Sequence, residues 1–159
     1  RSIQILKRHR DSMFISDPEL KPISIIITTL AAQAYNGEDD IESALTTILE
    51  GMERQILPTS PRVPNPVNPS EDFADKWSKP EYRHLHLEDN FKRWILQAKV
   101  DIKRTISASD PISLQESVSQ RYAVTINDER ARELTRSRGT TFNKPVVSIP
   151  SNPPKPWRY

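Results

Sequence analysis

The sequence predicts an all-α fold: a helical bundle lobe with a Pro-rich connector and an extended C-terminal tail. Three observations point there. Apolar residues recur at helical spacing along most of the chain. Glycine is scarce, at 3 residues of 159. Ten of the 14 prolines gather into two clusters, Pro58 to Pro69 and Pro145 to Pro156, which set one internal connector and one tail apart from the helical stretches. The expected organisation is a helical lobe over residues 1–107 with its connector at 58–69, further helices of the same lobe over 108–139, and a Pro-rich basic tail over 140–159.

The first helix is already under way at Arg1. Ile3, Leu6, Met13 and Phe14 share a helical spacing around the basic run Lys7, Arg8, His9 and Arg10, and only Arg1 and Ser2 precede it. No capping turn fits in two residues, so the helix is expected to start upstream and the chain to be a piece of a larger protein. A second helix follows from Pro22, a favoured first-turn residue, to Tyr35. It is apolar nearly all round and is expected to be the central buried helix. A strand is the competing reading of Ile25 to Ile27, disfavoured by the length and alanine content of the stretch.

Asn36 and Gly37 close that helix, since both tolerate the left-handed conformation. Asp39 and Asp40 open a third, Ile41 to Leu57, with Ile41, Leu45, Ile48, Leu49, Met52 and Ile56 on one stripe. Pro58 stops it. After the connector, Ser70 followed by Glu71, Asp72 and Phe73 reads as a capped short helix ending near Trp77. A long helix covers Leu87 to Ser107 and carries Phe91, Trp94, Ile95, Ala98, Ile102 and Ile106 inward. Asp110 and Pro111 cap and begin another, to Tyr122. Asn127 with Arg130 to Arg138 makes a last polar helix that Gly139 ends, and one short extended segment is allowed at Val124 to Ile126 or in the tail.

Composition excludes several function classes. Without cysteine there is no disulfide framework, thiolate metal site or cysteine nucleophile, a usage that fits a cytoplasmic protein. The longest apolar stretch, Ile23 to Ala34, is interrupted by Ser24, Thr28, Thr29 and Gln33 and is shorter than the ~20 residues a bilayer span needs. A net charge of +2 supplies no global basic field, which leaves nucleic-acid binding open.

No complete active site is readable. Glu38, Asp39 and Asp40 are adjacent carboxylates at a helix start, where the dipole alone favours them. His84, His86, Glu88 and Asp89 hold ligand-type residues, but nothing completes a metal site, and capping and solvation of the following helix account for them. All three histidines lie in charged stretches expected to be exposed, and neither a Gly-x-Ser-x-Gly turn nor a glycine-rich phosphate loop is present. An incomplete site is better supported. Ser24 sits at the start of the second helix, where free backbone N–H groups and partial positive charge could hold a phosphate, with the hydroxyl donating and a lysine of the first helix closing the far side. A serine cap beside a solvated basic face is the alternative.

At these residues the chain resembles a known family. The run Ile5-Leu6-Lys7-Arg8-His9-Arg10-Asp11 and the stretch Lys21-Pro22-Ile23-Ser24-Ile25-Ile26-Ile27-Thr28-Thr29-Leu30-Ala31-Ala32 are similar to the start of the helical C-terminal lobe of polymerase-beta-like nucleotidyltransferases. The nearest likeness is to bacterial cyclic-oligonucleotide synthases related to cyclic GMP-AMP synthase and oligoadenylate synthase. The connector Val63 to Ser70, with the Glu71 to Trp77 segment behind it and Asn90-Phe91-Lys92-Arg93-Trp94 further on, fits the same pattern. The resemblance spans residues 1–106.

It implies an enzyme that makes cyclic or linear oligonucleotide second messengers from nucleoside triphosphates, in defence against phage. The catalytic Gly-Ser turn and three carboxylates for Mg2+ would lie on a missing N-terminal lobe, so this fragment alone is expected to be inactive and to bind no cofactor. Carried over by position, Lys7 and Ser24 would contact the donor triphosphate. Asn65 and Asn68 could line the cleft or form a structural turn, and Tyr35 and Trp77 are candidates for base stacking. The other reading is a noncatalytic helical module that binds protein or nucleic acid.

Overall fold

The computed structural model describes residues 1–137. Among them are six α-helices and no β-strand: α1 Ser2–Met13, α2 Ser24–Ala34, α3 Ile41–Gly51, α4 Leu87–Ser107, α5 Pro111–Tyr122 and α6 Asp128–Ser137. Short 3-10 turns fill the intervals at Pro18–Leu20, Met52–Gln55, Asp75–Trp77 and Pro80–Leu85. The all-α expectation holds. The 140–159 tail and the Gly139 stop lie outside the described residues.

α4 is the spine. Its stripe of Phe91, Trp94, Ile95, Ala98 and Ile102 is buried, and Leu6 of α1, Ile27 and Leu30 of α2, and Ile48 and Leu49 of α3 pack into the same core. The expectation of a central buried α2 is corrected in part: its inner face is buried, but one side is open, with Ile25 43% exposed and Ala32 and Gln33 also at the surface. Nothing among the described residues covers that side. The apolar pattern of α2 alone could not say how many neighbours it would have.

Helix ends follow side-chain chemistry. The Asp40 carboxylate accepts from the Ser43 N–H at 2.8 Å, and Asp110 accepts from the Ser113 N–H at 2.9 Å. Asn127 accepts from the Arg130 N–H at 2.9 Å and starts α6. α3 ends against α2: a Cβ on Gly51 would lie 2.7 Å from the Ala34 Cβ, so the close approach of the two helices needs glycine there.

One local expectation is corrected just after the connector. Ser70 caps no helix; its hydroxyl donates to the Asn68 side-chain amide oxygen at 2.7 Å. Asp72 organises the segment instead, accepting from the N–H groups of Arg62, Val63 and Ala74 at 2.7, 3.0 and 2.9 Å. Burial works to raise its pKa, but these N–H donors and the Ser60 hydroxyl outweigh it and hold the carboxyl below its ordinary value. Arg62 then ties the connector to α4 with a two-pronged bond to Glu88.

Candidate functional site

The predicted phosphate site lies where the C-terminal half of α1 meets the start of α2. Ile23, not Ser24, occupies the cap position of α2 and offers no side-chain cap, so Ser24 is the first helical residue and the opening N–H groups are free of any side chain. Ser24 is exposed and is flanked by Ile23 and Ile25, both also exposed. Its hydroxyl is not idle. Arg10, only 5% exposed, extends from α1 and donates one guanidinium nitrogen to both the Pro22 carbonyl at 3.0 Å and the Ser24 Oγ at 2.9 Å.

The rest of that guanidinium is held by its neighbour. Arg10 Nε and Nη2 reach the Asp11 carboxylate at 3.1 and 2.7 Å, and Lys21 Nζ approaches the same oxygen at 3.4 Å. Burial works to raise the pKa of Asp11, but the hydrogen bonds and charges of Arg10 and then Lys21 outweigh it, so the carboxyl titrates below its usual value. The corner is therefore a cluster of three charges pinned in one place. Lys7 lies three residues before Arg10, one turn back on the same flank of α1. It is half-buried and has no hydrogen-bond or ion-pair partner among the described residues.

The other flank of α1 holds a group whose role the sequence hid. His9, expected to be exposed, is 2% exposed, whereas His84 and His86 are at the surface. The Trp94 indole N–H donates to His9 Nδ1 at 3.1 Å, so that nitrogen must carry a lone pair and the proton sits on Nε2, facing Asp101 Oδ2 at 3.1 Å. Burial lowers the pKa of His9 despite the adjacent carboxylate, and the ring is neutral. Asp101 also accepts from Gln97 at 2.9 Å and from Arg121 of α5. Burial works to raise the pKa of Asp101, and the bonds from Gln97, His9 and Arg121 hold it low instead. With Tyr122 edge-on to the His9 ring at 5.7 Å, the network joins α1, α4 and α5.

The remaining candidates lie elsewhere. Tyr35 is at the opposite end of α2 from Ser24, about 16 Å along the helix axis. It is exposed, donates its hydroxyl to the Glu38 carbonyl at 3.1 Å, and lines a separate hollow with Arg1, Ile3 and Ile48. Asn65 and Asn68 spend their side chains within the connector, Asn65 on Glu71 and the Val67 N–H, Asn68 on Ser70. Trp77 is half-buried against Phe91, ring centroids 5.5 Å apart, with the Arg62 guanidinium 6.0 Å from its ring. The structure joins Ser24 to Arg10, with Lys7 one turn before Arg10 on α1, and leaves the other four candidates apart from that corner.

Among the described residues no group of three or more His, Asp or Glu side chains could hold a metal ion. His86 instead takes a left-handed conformation at the start of α4, with its ring 3.5 Å from Asp89. No helix among them is long and apolar enough to cross a membrane.

Arg10, Asp11 and Lys21 were the site residues the sequence reading passed over. A signal was there: position 10 falls four residues after Leu6 and four before Phe14, on the buried stripe. An arginine at such a position must find internal partners.

Over 149 aligned residues the chain is 35% identical to a protein named c-di-GMP synthase from Roseivirga ehrenbergii, and the match takes in 84% of this chain. The chain is related to a cyclic-oligonucleotide synthase. It spans 39% of the length of that relative. No family model matches the chain.

Proposed function

We propose that this chain is the helical lobe of a nucleotidyltransferase that makes cyclic oligonucleotides from nucleoside triphosphates, and that its own share of the work is to hold the donor triphosphate. The observation that carries the reading is the 35% identity, over most of this chain, to a protein named c-di-GMP synthase. That name makes GTP the first substrate to test.

The corner between α1 and α2 supplies the chemistry such a role requires. A triphosphate is a chain of hydrogen-bond acceptors with high negative charge, so its site must offer donors and cations. Lys7 offers an ammonium with no partner among the described residues, Ser24 a surface hydroxyl, and α2 its free first-turn N–H groups and the positive end of its dipole. Asp11, the carboxylate nearest in sequence, is already engaged by Arg10 and Lys21. In this reading the reaction joins a nucleotide hydroxyl to the donor α-phosphate with loss of pyrophosphate. The carboxylates that bind Mg2+, which would stabilise the phosphate charge, belong to a part of the protein outside this chain.

The test uses the full-length protein and isothermal titration with GTP and magnesium. Lys7→Ala and Ser24→Ala are each expected to weaken binding about tenfold, the worth of one charge-assisted hydrogen bond. Unchanged affinity in both variants would remove the triphosphate role.

A further inference from the structure

The geometry points to Arg10 as a positioning residue for the Ser24 hydroxyl, holding it so that its proton is directed out of the protein toward the donor phosphate. The inference rests on the triphosphate reading of this corner and deepens it.

The inference follows from what each group can do. A guanidinium has donors only, so in the 2.9 Å contact between Arg10 Nη1 and Ser24 Oγ the serine oxygen must accept. The hydroxyl proton is thereby turned away from Arg10. It has no acceptor among the described residues, and Ser24 is exposed, so the proton is available to a ligand. Serine at the start of a helix commonly accepts a bond from the N–H of its own first turn, which would spend the oxygen locally. Here Ser24 stands one position too late for that: Ile23 is the cap, and the Ser24 backbone carbonyl, not the side chain, accepts from Thr28 at 2.8 Å.

Arg10 is itself fixed at both edges of its guanidinium. Its bond to the Pro22 carbonyl at 3.0 Å sets it against the chain two residues before Ser24. Asp11 holds the opposite edge at 2.7 and 3.1 Å and, through Lys21, ties the segment leading into α2 to the same carboxylate. A buried arginine with this many assigned partners is preorganised, and its positive charge also strengthens the serine as a donor by drawing density from Oγ. Lysine could not reproduce the fork, because its single ammonium cannot span Pro22, Ser24 and Asp11 together.

A double-mutant cycle on the full-length protein tests this, with tripolyphosphate and magnesium as the probe so that base preference plays no part. Ser24→Ala is expected to weaken tripolyphosphate binding about tenfold, and Arg10→Gln by a similar factor. Combined, they are expected to lose no more than Ser24→Ala alone, because Arg10 acts through the hydroxyl that alanine lacks. Multiplying losses, or full affinity in a folded Arg10→Gln variant, would overturn the positioning role while leaving the triphosphate site intact. No loss in Ser24→Ala would instead overturn the site reading and this inference with it. Thermal melts accompany each variant. Should Arg10→Gln fail to fold, Arg10→Lys, which keeps the charge, replaces it in the cycle with the same expected pattern.

Discussion

The two flanks of α1 carry polar groups of similar kind and use them in opposite ways. On one, His9 meets Trp94 and Asp101, and Asp101 meets Gln97 and Arg121, until both ring nitrogens and both carboxylate oxygens have protein partners. On the other, Arg10 is equally buried, but its partner Ser24 keeps a surplus proton at the surface, and Lys7 beside it has no partner among the described residues. A buried network that closes on itself holds helices together. One that ends in unspent donors at the surface leaves them available to water or to a ligand.

The comparison breaks first, and most strongly, at Asp101. Asp101→Ala removes the acceptor of His9, Gln97 and Arg121 together and leaves a largely buried guanidinium unpaired, so it is expected to cost about 3 kcal/mol of stability in a denaturant titration. Triphosphate affinity of the remaining folded protein should hold. Trp94→Phe keeps most of the ring volume and removes only the indole N–H, for an expected loss of about 1 kcal/mol by the same titration.

Acid provides a subtler test of the closed flank. The pKa of His9 is lowered from 6.5 in the folded chain, so below about that pH the unfolded chain takes up a proton that the folded one refuses. Its contribution is complete above 6.5 and falls as the pH drops toward the lower folded value. Asp101, lowered from 3.8, adds stability above that value that is lost as the pH falls through its folded pKa. Denaturation midpoints followed from pH 8 to 4 should therefore decline on the acid side (roughly from neutrality downward), and His9→Gln should flatten the decline. The smallest stability effect belongs to the open flank: Lys7→Met should move stability by no more than about 0.5 kcal/mol in the same assay, since no bond among the described residues is lost.

The helices were legible because their apolar stripes are regular. Phe91, Trp94, Ile95, Ala98 and Ile102 announce α4, and Asp40 and Asp110 mark their helix starts by the short acceptors they bring to free N–H groups. Lys7 and Ser24 were named from a resemblance and from the properties of a helix start. What stayed hidden depended on partners far away in sequence. His9 looks like one more member of a charged run until Asp101, 92 residues on, comes to face it. The role of Asp72 was missed for a different reason, since three N–H groups converge on it only after the connector has folded back.

The open flank is proposed to receive the donor triphosphate while the closed flank only supports it. Amide and indole chemical shifts of the full-length protein, recorded with and without GTP and magnesium, test that most directly. The largest changes are expected at the backbone N–H groups of Ser24, Ile25 and Ile26 and around Lys7, with the Trp94 indole resonance unmoved. Changes centred on Trp94 and His9, or none at the start of α2 under saturating GTP, would contradict it.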